Sequence, residues 1–147
     1  MLTFFTIGYE GQAIGNFLDK LHSSHIEVFV DVRNNAHSRK RGFSKKALKQ
    51  AVENLGIKYV HIPELGIPSS LRKEMGEDKS NKELLNYYST KIIPKQTDAI
   101  AQLKETVSHY SRIVLVCFEK DYHTCHRHKI TEFLKKDNSI EFKVVHL

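Results

Sequence analysis

Apolar residues along the chain fall into two alternating patterns, short continuous runs and runs spaced three and four residues apart. The first pattern is typical of strands buried on both faces, and the second is typical of amphipathic helices. The predicted strands are Leu2–Tyr9, Glu27–Arg33, Lys58–Ile62, Arg112–Glu119 and Glu141–Leu147. The predicted helices are Ile14–His22, Ser44 to about Leu55, Asn81–His109 (divided by Pro94) and Cys125–Lys136.

Strands that alternate with helices predict an α/β fold. We expect a single Rossmann-like three-layer sandwich with a mostly parallel sheet of about five strands. The 147 residues fit one domain covering positions 1–147, because domains run to about 100–200 residues. The segment Glu64–Ser80 is predicted to be a long loop that is either functional or hides a short helix.

Composition narrows the class of protein. The sequence has no apolar run long enough to cross a membrane, and its first residues lack the basic region and cleavage site of a signal peptide. Two cysteines are too few for a disulfide framework, so we expect a cytoplasmic protein with reduced thiols and no membrane partner. The net charge of +6 permits a polyanionic partner without requiring one. If the chain assembles, a homodimer is the commonest form.

The carboxyl ends of the predicted strands carry most of the polar chemistry. Ligands of open parallel sheets bind at that edge, so side chains that follow each strand should gather there. Bringing several charged groups together at one sheet edge costs free energy of desolvation and repulsion. Their convergence therefore predicts a functional site. The residues selected in this way are Glu10, Asp31, Arg33, His61, Glu119, Cys125, His126 and Arg127.

The same residues resemble the DUF488 family over nearly the whole chain. The motifs that carry the resemblance are TIGYEG at residues 6–11, DVR at 31–33, Ser38, FSK at 43–45, GIKYVHIPELG at 56–66, CFE at 117–119 and CHR at 125–127. The resemblance implies an α/β fold with a site at these motifs, but no settled activity. Family members often have a proline near the position of Ala36 or His37, and its absence here implies a differently shaped loop.

Cys125 is the first candidate for catalysis. It begins a predicted helix and precedes His126 and Arg127, and helix-terminal N–H groups and nearby cations stabilise a thiolate. A nucleophilic or redox thiol is one interpretation, and a small buried side chain is the other. The spacing lacks the Cys-x5-Arg loop of thiol phosphatases, because Cys117 is too far from Arg127 and Cys125 is too close.

A divalent metal is a further interpretation of the same region. His123, Cys125, His126 and His128 are all ligand types, but three of four ligands would lie within one turn, which is awkward for a tetrahedral site. Glu10, Asp31 and Glu119 could instead hold Mg²⁺ or act as general acid and base. The alternative for Asp31 and Glu119 is that they form ion pairs with Arg33 and Arg127.

Basic residues are concentrated after the second predicted strand. Arg33, Arg39, Lys40, Arg41, Lys45 and Lys46 resemble the clusters that contact phosphates, and Ser38 and Ser44 could add hydroxyl contacts. A solvated loop and helix face is an equally good interpretation. Tyr9 and Tyr59 could stack on a base or belong to the core. The glycines of TIGYEG are expected to let the turn pass close to a ligand.

Three functional hypotheses follow. The first is an enzyme, a hydrolase or group-transfer enzyme, that acts on an anionic small molecule, nucleotide or nucleic acid. Its catalytic residues would be drawn from Cys125, Glu119, Asp31, Glu10 and His126, and its substrate contacts from Arg33, Arg127, Tyr9, His61, Ser38 and Arg41. The second is a non-catalytic module that binds nucleic acid or a nucleotide. The third is a thiol redox or sulfur-handling protein that uses Cys125.

Overall fold

Five parallel strands form one sheet in the computed structural model, which describes residues 1–74 and 81–147. The strands are β1 (Leu2–Gly8), β2 (Val28–Asp31), β3 (Lys58–His61), β4 (Arg112–Cys117) and β5 (Phe142–His146), in the spatial order β3-β2-β4-β1-β5. Each neighbouring pair is parallel. The predicted α/β class and strand number are therefore confirmed.

Six α-helices connect these strands within the described residues: α1 (Ile14–Ser23), α2 (Lys45–Asn54), α3 (Ser69–Glu74), α4 (Asn81–Tyr87), α5 (Thr97–Ser108) and α6 (His126–Asp137). The segment predicted as a long loop contains a 3₁₀ turn at Pro63–Leu65 and the short helix α3, and its residues 75–80 lie outside the described part. In the part of the chain that the structure describes, no helix has the length and apolar character of a membrane span.

Alternate residues of each strand point to opposite faces, so each face of the sheet has its own core. On one face, Phe5, Phe29 and Val114 pack with residues of α1 and α2 such as Phe17 and Leu48. The opposite core has the same plan and is built from Phe4, Val28 and Ile113 with Ile100 and Leu103 of α5 and Ile130 and Leu134 of α6. Helices on both faces make the three-layer sandwich.

The long helix predicted over Asn81–His109 is interrupted, as Pro94 predicted. A π-helical turn at Tyr88–Ile92 and a 3₁₀ turn at Ile93–Lys95 separate α4 from α5. Proline cannot donate a backbone hydrogen bond, so the regular helix cannot continue through it. The interruption places Tyr88 in the core, where its hydroxyl donates to the carbonyl of Leu65 at 2.5 Å.

The neighbouring strands β2 and β4 have connections that leave in opposite directions, toward β3 on one side and β5 on the other. The helix that follows β1 and the helix that follows β2 pack on one face, whereas α6, which follows β4, packs on the other. A crevice opens at the carboxyl ends of neighbouring strands whose connections leave in opposite directions, and ligands of such sheets bind there. The topology therefore predicts a ligand site at the carboxyl ends of β1, β4 and β2.

Candidate functional site

A cavity of about 210 Å³ lies at this crevice. Its wall is made by residues that follow three strands, together with the start of α6: Tyr9, Arg33, Asn34, Asn35, Ile67, Ser69, Cys117, Phe118, Glu119 and His126. A larger groove of about 620 Å³ lies between α4 and α6, away from the strand ends. We assign the site to the smaller cavity because the sheet edge brings its nucleophilic and titratable groups together.

Gly8 makes the close packing of this edge possible. A Cβ atom built on Gly8 would overlap the backbone carbonyl of Glu119, so the end of β1 can approach the loop after β4 only with glycine in this position. The sequence predicted that the glycines of TIGYEG let the backbone pass close to a ligand. In the structure, Gly8 instead lets the backbone pass close to Glu119 of the same chain. Gly11 has φ +76°, the left-handed region that a turn there requires.

Asp31 and Arg33 form a buried ion pair. Arg33 Nε and Nη2 donate to the two carboxylate oxygens of Asp31 at 2.8 and 2.7 Å, and the backbone N–H of Arg33 donates to Asp31 Oδ1 at 3.1 Å. That backbone bond forms an Asx turn, which ends β2 earlier than the sequence predicted. Arg33 Nη1 donates to the carbonyl of Phe43 at 2.7 Å. The fork of Arg33 is therefore engaged inside the protein and not directed to a phosphate.

Tyr59 completes this pair from the neighbouring strand. Its hydroxyl donates to Asp31 Oδ2 at 2.6 Å, and burial, together with the charge of Asp31, raises its pKa well above the usual range. Burial alone disfavours the Arg33 cation, but the hydrogen bonds and charge of Asp31 outweigh this effect and raise the pKa of Arg33. With Asp31 fully buried and accepting four hydrogen bonds, the geometry does not place it as a free acid or base.

Cys117 and Cys125 are joined by a disulfide bond. The expectation of reduced thiols is wrong for this structure, and its physical reason is the fold. Cys117 is the last residue of β4, and Cys125 immediately precedes α6. The segment of chain between them folds back on itself, so two cysteines eight positions apart in the sequence have their sulfurs in contact. Both side chains are buried. Cys117 was not among the predicted site residues, although it ends a strand and the strand-end rule could have selected it.

His126 holds one ring nitrogen toward the sulfur of Cys125. Its Nε2 donates to the carbonyl of Val32 at 2.8 Å, and a neutral ring that donates from Nε2 keeps a lone pair on Nδ1. Nδ1 lies 3.8 Å from Cys125 Sγ. The ring also packs edge-on against Tyr88, with centroids 5.5 Å apart. When the disulfide is reduced, this arrangement would place a ring nitrogen next to the Cys125 thiol, as thiol activation requires.

Arg127 lies against the other sulfur. Its Nη1 donates to Cys117 Sγ at 3.0 Å and to the carbonyl of Glu119 at 2.6 Å, and Nη2 donates to the carbonyl of Lys120 at 3.3 Å. Burial lowers the pKa of Arg127 to about 10, although the charges of Glu119 and Asp121 oppose the shift. A guanidinium at this position stabilises a thiolate at Cys117.

The two glutamates at the edge differ in position. Glu119 is partly buried and lines the cavity, and an oxygen of its carboxylate lies within 4.8 Å of the ligand atoms of Cys117, Cys125 and His126. Glu10 is exposed and accepts the backbone N–H of Lys120 at 3.0 Å, which ties the loop after β1 to the loop after β4. The structure thus brings Glu119 into the site and places Glu10 at its rim.

The other residues predicted to bind substrate lie at different places around the carboxyl edge of the sheet. Tyr9 stacks on Phe43 with ring centroids 4.6 Å apart and lines the cavity, and His61 Nε2 lies 2.6 Å from the carbonyl of Arg33. The hydroxyl of Ser38 accepts the backbone N–H of Lys40 at 3.2 Å, and Arg41 is exposed. Neither Ser38 nor Arg41 is part of the cavity wall.

Two histidines predicted beside Cys125 lie in a separate ring cluster. Tyr122 stacks on His146 with centroids 3.5 Å apart, and the rings of His123 and His128 complete the group. His128 Nε2 pairs with Glu132 Oε1 at 2.8 Å, and His123 pairs with Asp121 at 3.0 Å. The His-x-Cys-His-x-His run therefore divides, and only Cys125 and His126 belong to the candidate site.

The fold and the site define the class: a parallel α/β protein with a cysteine pair, a histidine and an arginine at the switch point of its sheet. A comparison with family models matches residues 13–134 to the family described as a domain of unknown function, DUF488. The chain belongs to this family, as its motifs predicted. Searches of curated proteins and of solved structures give no match.

Proposed function

We propose that the protein is a thiol–disulfide redox protein whose working group is the Cys117–Cys125 pair. The observation that carries the proposal is the position of the pair: it lies at the switch point of the sheet, with one sulfur against Arg127 and the other facing His126. Of the three hypotheses drawn from the sequence, this one has the most support from the contacts. The two arginines expected to hold a phosphate, Arg33 and Arg127, donate instead to groups inside the protein.

The reduced pair can transfer two electrons to a disulfide. The thiolate of Cys117, stabilised by Arg127, attacks one sulfur of a disulfide R–S–S–R and releases one thiolate, which takes a proton. His126 Nδ1 accepts the proton of Cys125, and Cys125 then attacks Cys117 in the mixed disulfide and releases the second thiol. The products are the Cys117–Cys125 disulfide and two R–SH molecules, and the reverse reaction forms R–S–S–R.

The size of the cavity favours a small substrate. Both sulfurs are almost fully buried, and the cavity that reaches Cys117 has a volume of about 210 Å³. A low-molecular-weight disulfide can enter such a space, whereas the surface of a folded protein cannot. The proposal fits a reducing compartment such as the cytoplasm, where pairs that open and close are redox catalysts or sensors.

Redox titration of the native protein tests the proposal. The protein is equilibrated in buffers with different ratios of reduced to oxidised glutathione, and its free thiols are alkylated. Mass spectrometry then measures the fraction of the protein in which both cysteines are alkylated. We expect one two-electron transition with a midpoint above about −300 mV, since disulfides of lower potential resist the glutathione pool. Opening of the pair only after unfolding in denaturant would show a purely structural disulfide and overturn the proposal.

Turnover gives the second readout. We expect His126→Asn to slow reduction of a small disulfide by about 10²-fold, the usual contribution of a positioned base. His109→Asn is the matched control, because His109 is exposed and pairs with Glu105 at the end of α5. Retained redox cycling in His126→Asn at the original rate would remove His126 from the mechanism. A phosphate-dependent activity that survives Cys117→Ser and Cys125→Ser would favour the enzyme hypothesis instead.

A further inference from the structure

We propose that the reduced form of the pair is a site for a thiophilic divalent metal such as Zn²⁺, with Cys117, Cys125, His126 and Glu119 as its four ligands. The inference rests on the proposed function in one respect only, that the disulfide can be reduced in the folded protein. The ligand atoms of these four residues all lie within 4.8 Å of one another, which is close enough to surround one ion. They come from two elements, the end of β4 and the start of α6.

The donor set selects the class of metal. Two thiolate sulfurs, an imidazole nitrogen and one carboxylate oxygen match the tetrahedral sites of zinc, whereas Mg²⁺ and Ca²⁺ require oxygen ligands. The Mg²⁺ site considered for Glu10, Asp31 and Glu119 has no such support, because Asp31 is fully engaged with Arg33 and Tyr59. The spacing of the cysteines also fits: their Cα atoms are 7.4 Å apart, beyond the roughly 4.4–6.8 Å that is usual for bonded cysteines.

The surroundings orient the ligands as a metal site requires. A metal-bound histidine usually donates its other ring N–H to a carbonyl or carboxylate, which fixes the tautomer and the ring plane. His126 does this through Nε2, which donates to the carbonyl of Val32 at 2.8 Å, and its Nδ1 lies on the side of the cysteine sulfurs, 3.8 Å from Cys125 Sγ. Because Val32 follows β2, this contact anchors the ligand to the centre of the sheet.

Charge balance at the buried site includes Arg127. Two thiolates and the Glu119 carboxylate carry three negative charges, and a divalent ion supplies two positive charges. The guanidinium of Arg127, which donates to Cys117 Sγ at 3.0 Å, adds a positive charge beside the thiolates. A buried net charge is costly, so this complement favours the bound state. Binding releases two thiol protons: M²⁺ plus two Cys–SH gives the dithiolate complex and two H⁺.

The metal and the disulfide use the same sulfurs and exclude each other. Four protein ligands close the coordination sphere, which is typical of zinc sites without an open catalytic position. Bound metal would therefore hold the pair reduced and unreactive, and oxidation of the pair would release the ion. The site thus adds a metal-dependent control to the redox chemistry proposed above.

Cobalt titration tests this site. The native protein is reduced with a phosphine, freed of metal and titrated anaerobically with Co²⁺ and then Zn²⁺. We expect one Co²⁺ per chain with thiolate-to-cobalt charge-transfer bands and strong d–d bands of a tetrahedral ion, displaced by Zn²⁺. The charge-transfer bands should be lost in Cys117→Ser and Cys125→Ser. His126→Asn and Glu119→Gln should weaken binding about 10-fold or more, since even outer partners of a ligand contribute 10–100-fold.

Matched controls keep the outcomes distinct. His123→Asn changes a histidine of the separate ring cluster, and Glu132→Gln changes a glutamate of α6 that pairs with His128 of that cluster; both variants should bind Co²⁺ as the parent does. Circular dichroism checks that each variant is folded. Spectra without thiolate bands, or affinity unchanged by Glu119→Gln and His126→Asn, would overturn the four-ligand site. If the reduced protein binds no metal but still cycles with glutathione, only the metal site fails; if the pair cannot be reduced, both proposals fail.

Discussion

Two buried arginines lie at the same edge of the sheet and have opposite surroundings. Arg33 faces a carboxylate through two parallel hydrogen bonds, and its pKa is raised. Arg127 donates to a sulfur and to two backbone carbonyls, and burial lowers its pKa to about 10. A neighbouring carboxylate cancels the first charge locally, whereas the second acts on the groups around it. Arg33 therefore stabilises the fold, whereas Arg127 can stabilise a thiolate.

The reach of the Arg127 charge is visible in its neighbours. The pKa of Asp121 is lowered chiefly by hydrogen bonds from His123, and those of His128 and His146 are lowered chiefly by burial, and the charge of Arg127 adds a smaller effect in the same direction to each. The three residues lie on the loop before α6, on α6 itself and on β5. Arg127 is therefore a source of positive potential at this edge, and the cysteine pair lies next to it.

The largest effect is expected from Asp31→Asn, which breaks the ion pair and leaves Arg33 buried. Removing one partner of a buried pair costs about 3–5 kcal/mol of unfolding free energy. Urea unfolding measures the loss. Asp19→Asn, on the exposed side of α1, should stay within about 0.5 kcal/mol of the parent. A small loss in Asp31→Asn would mean that Arg33, like Arg127, does not depend on its carboxylate, and the contrast between them would disappear.

Gly8→Ala tests the packing beneath Arg127. The added methyl would overlap the carbonyl of Glu119, which accepts from Arg127, so we expect a loss of about 1–3 kcal/mol, as for overpacked cores. Gly15→Ala in α1 is the matched control, because a Cβ there meets nothing within 4 Å and should stabilise by up to about 1 kcal/mol. Equal stability of the two variants, measured by thermal unfolding, would contradict the tight approach of β1 to the β4 loop.

Arg127→Met tests the thiolate support directly. Hydrogen bonds to charged groups contribute about 1.5–3 kcal/mol, so alkylation of the reduced protein at neutral pH should slow by about tenfold or more. Arg112→Met removes an arginine at the opposite end of β4, where it donates to the carbonyl of Ser24, and should leave the rate unchanged. Mass spectrometry at each cysteine measures the rates. An unchanged rate in Arg127→Met would remove the electrostatic role of Arg127.

The smallest effect concerns His146. Burial, followed by the charges of His128 and Arg127, lowers its pKa to about 4. The folded protein keeps the ring neutral while the unfolded chain binds a proton near its ordinary pKa of 6.5. Stability therefore falls as the pH decreases from about 6.5 to about 4 and is unaffected by this group above that window. In His146→Gln the fall between pH 7 and 5 should be smaller, as measured by urea unfolding; an identical slope would contradict the shift.

Much of the fold could be predicted because its elements are encoded locally. The apolar runs identified all five strands, and Pro94 predicted the break between α4 and α5. The ends of the elements differed from the predictions because individual side-chain hydrogen bonds set them. The strand β2 ends at Asp31, where that side chain accepts the Arg33 N–H, and a pattern of apolar residues carries no such information.

The candidate site could be predicted in outline but not in its connections. The strand-end rule selected Glu119, Cys125, His126 and Arg127, which the structure brings together. It could not tell that Arg33 would turn onto Asp31 while Arg127 would turn onto a sulfur, since the rule gives the position of a residue at the edge and not the direction of its side chain. Cys117 was missed because it lies in the continuous apolar run of the predicted strand Arg112–Glu119, where it was interpreted as part of the strand. Pairing required the topology that folds β4 back against the start of α6.

The order of the strands also has a consequence for synthesis on the ribosome. The neighbours of β1 are β4 and β5, whose residues begin at Arg112, whereas β2 can pair with β3 soon after both emerge. At about 5–20 residues per second, the apolar strand β1 waits roughly 5–20 seconds for a partner. A nascent chain in this interval exposes an unpaired strand edge to its neighbours. The β2–β3 unit is therefore the natural first nucleus, and β1 is the segment for which a chaperone would compete.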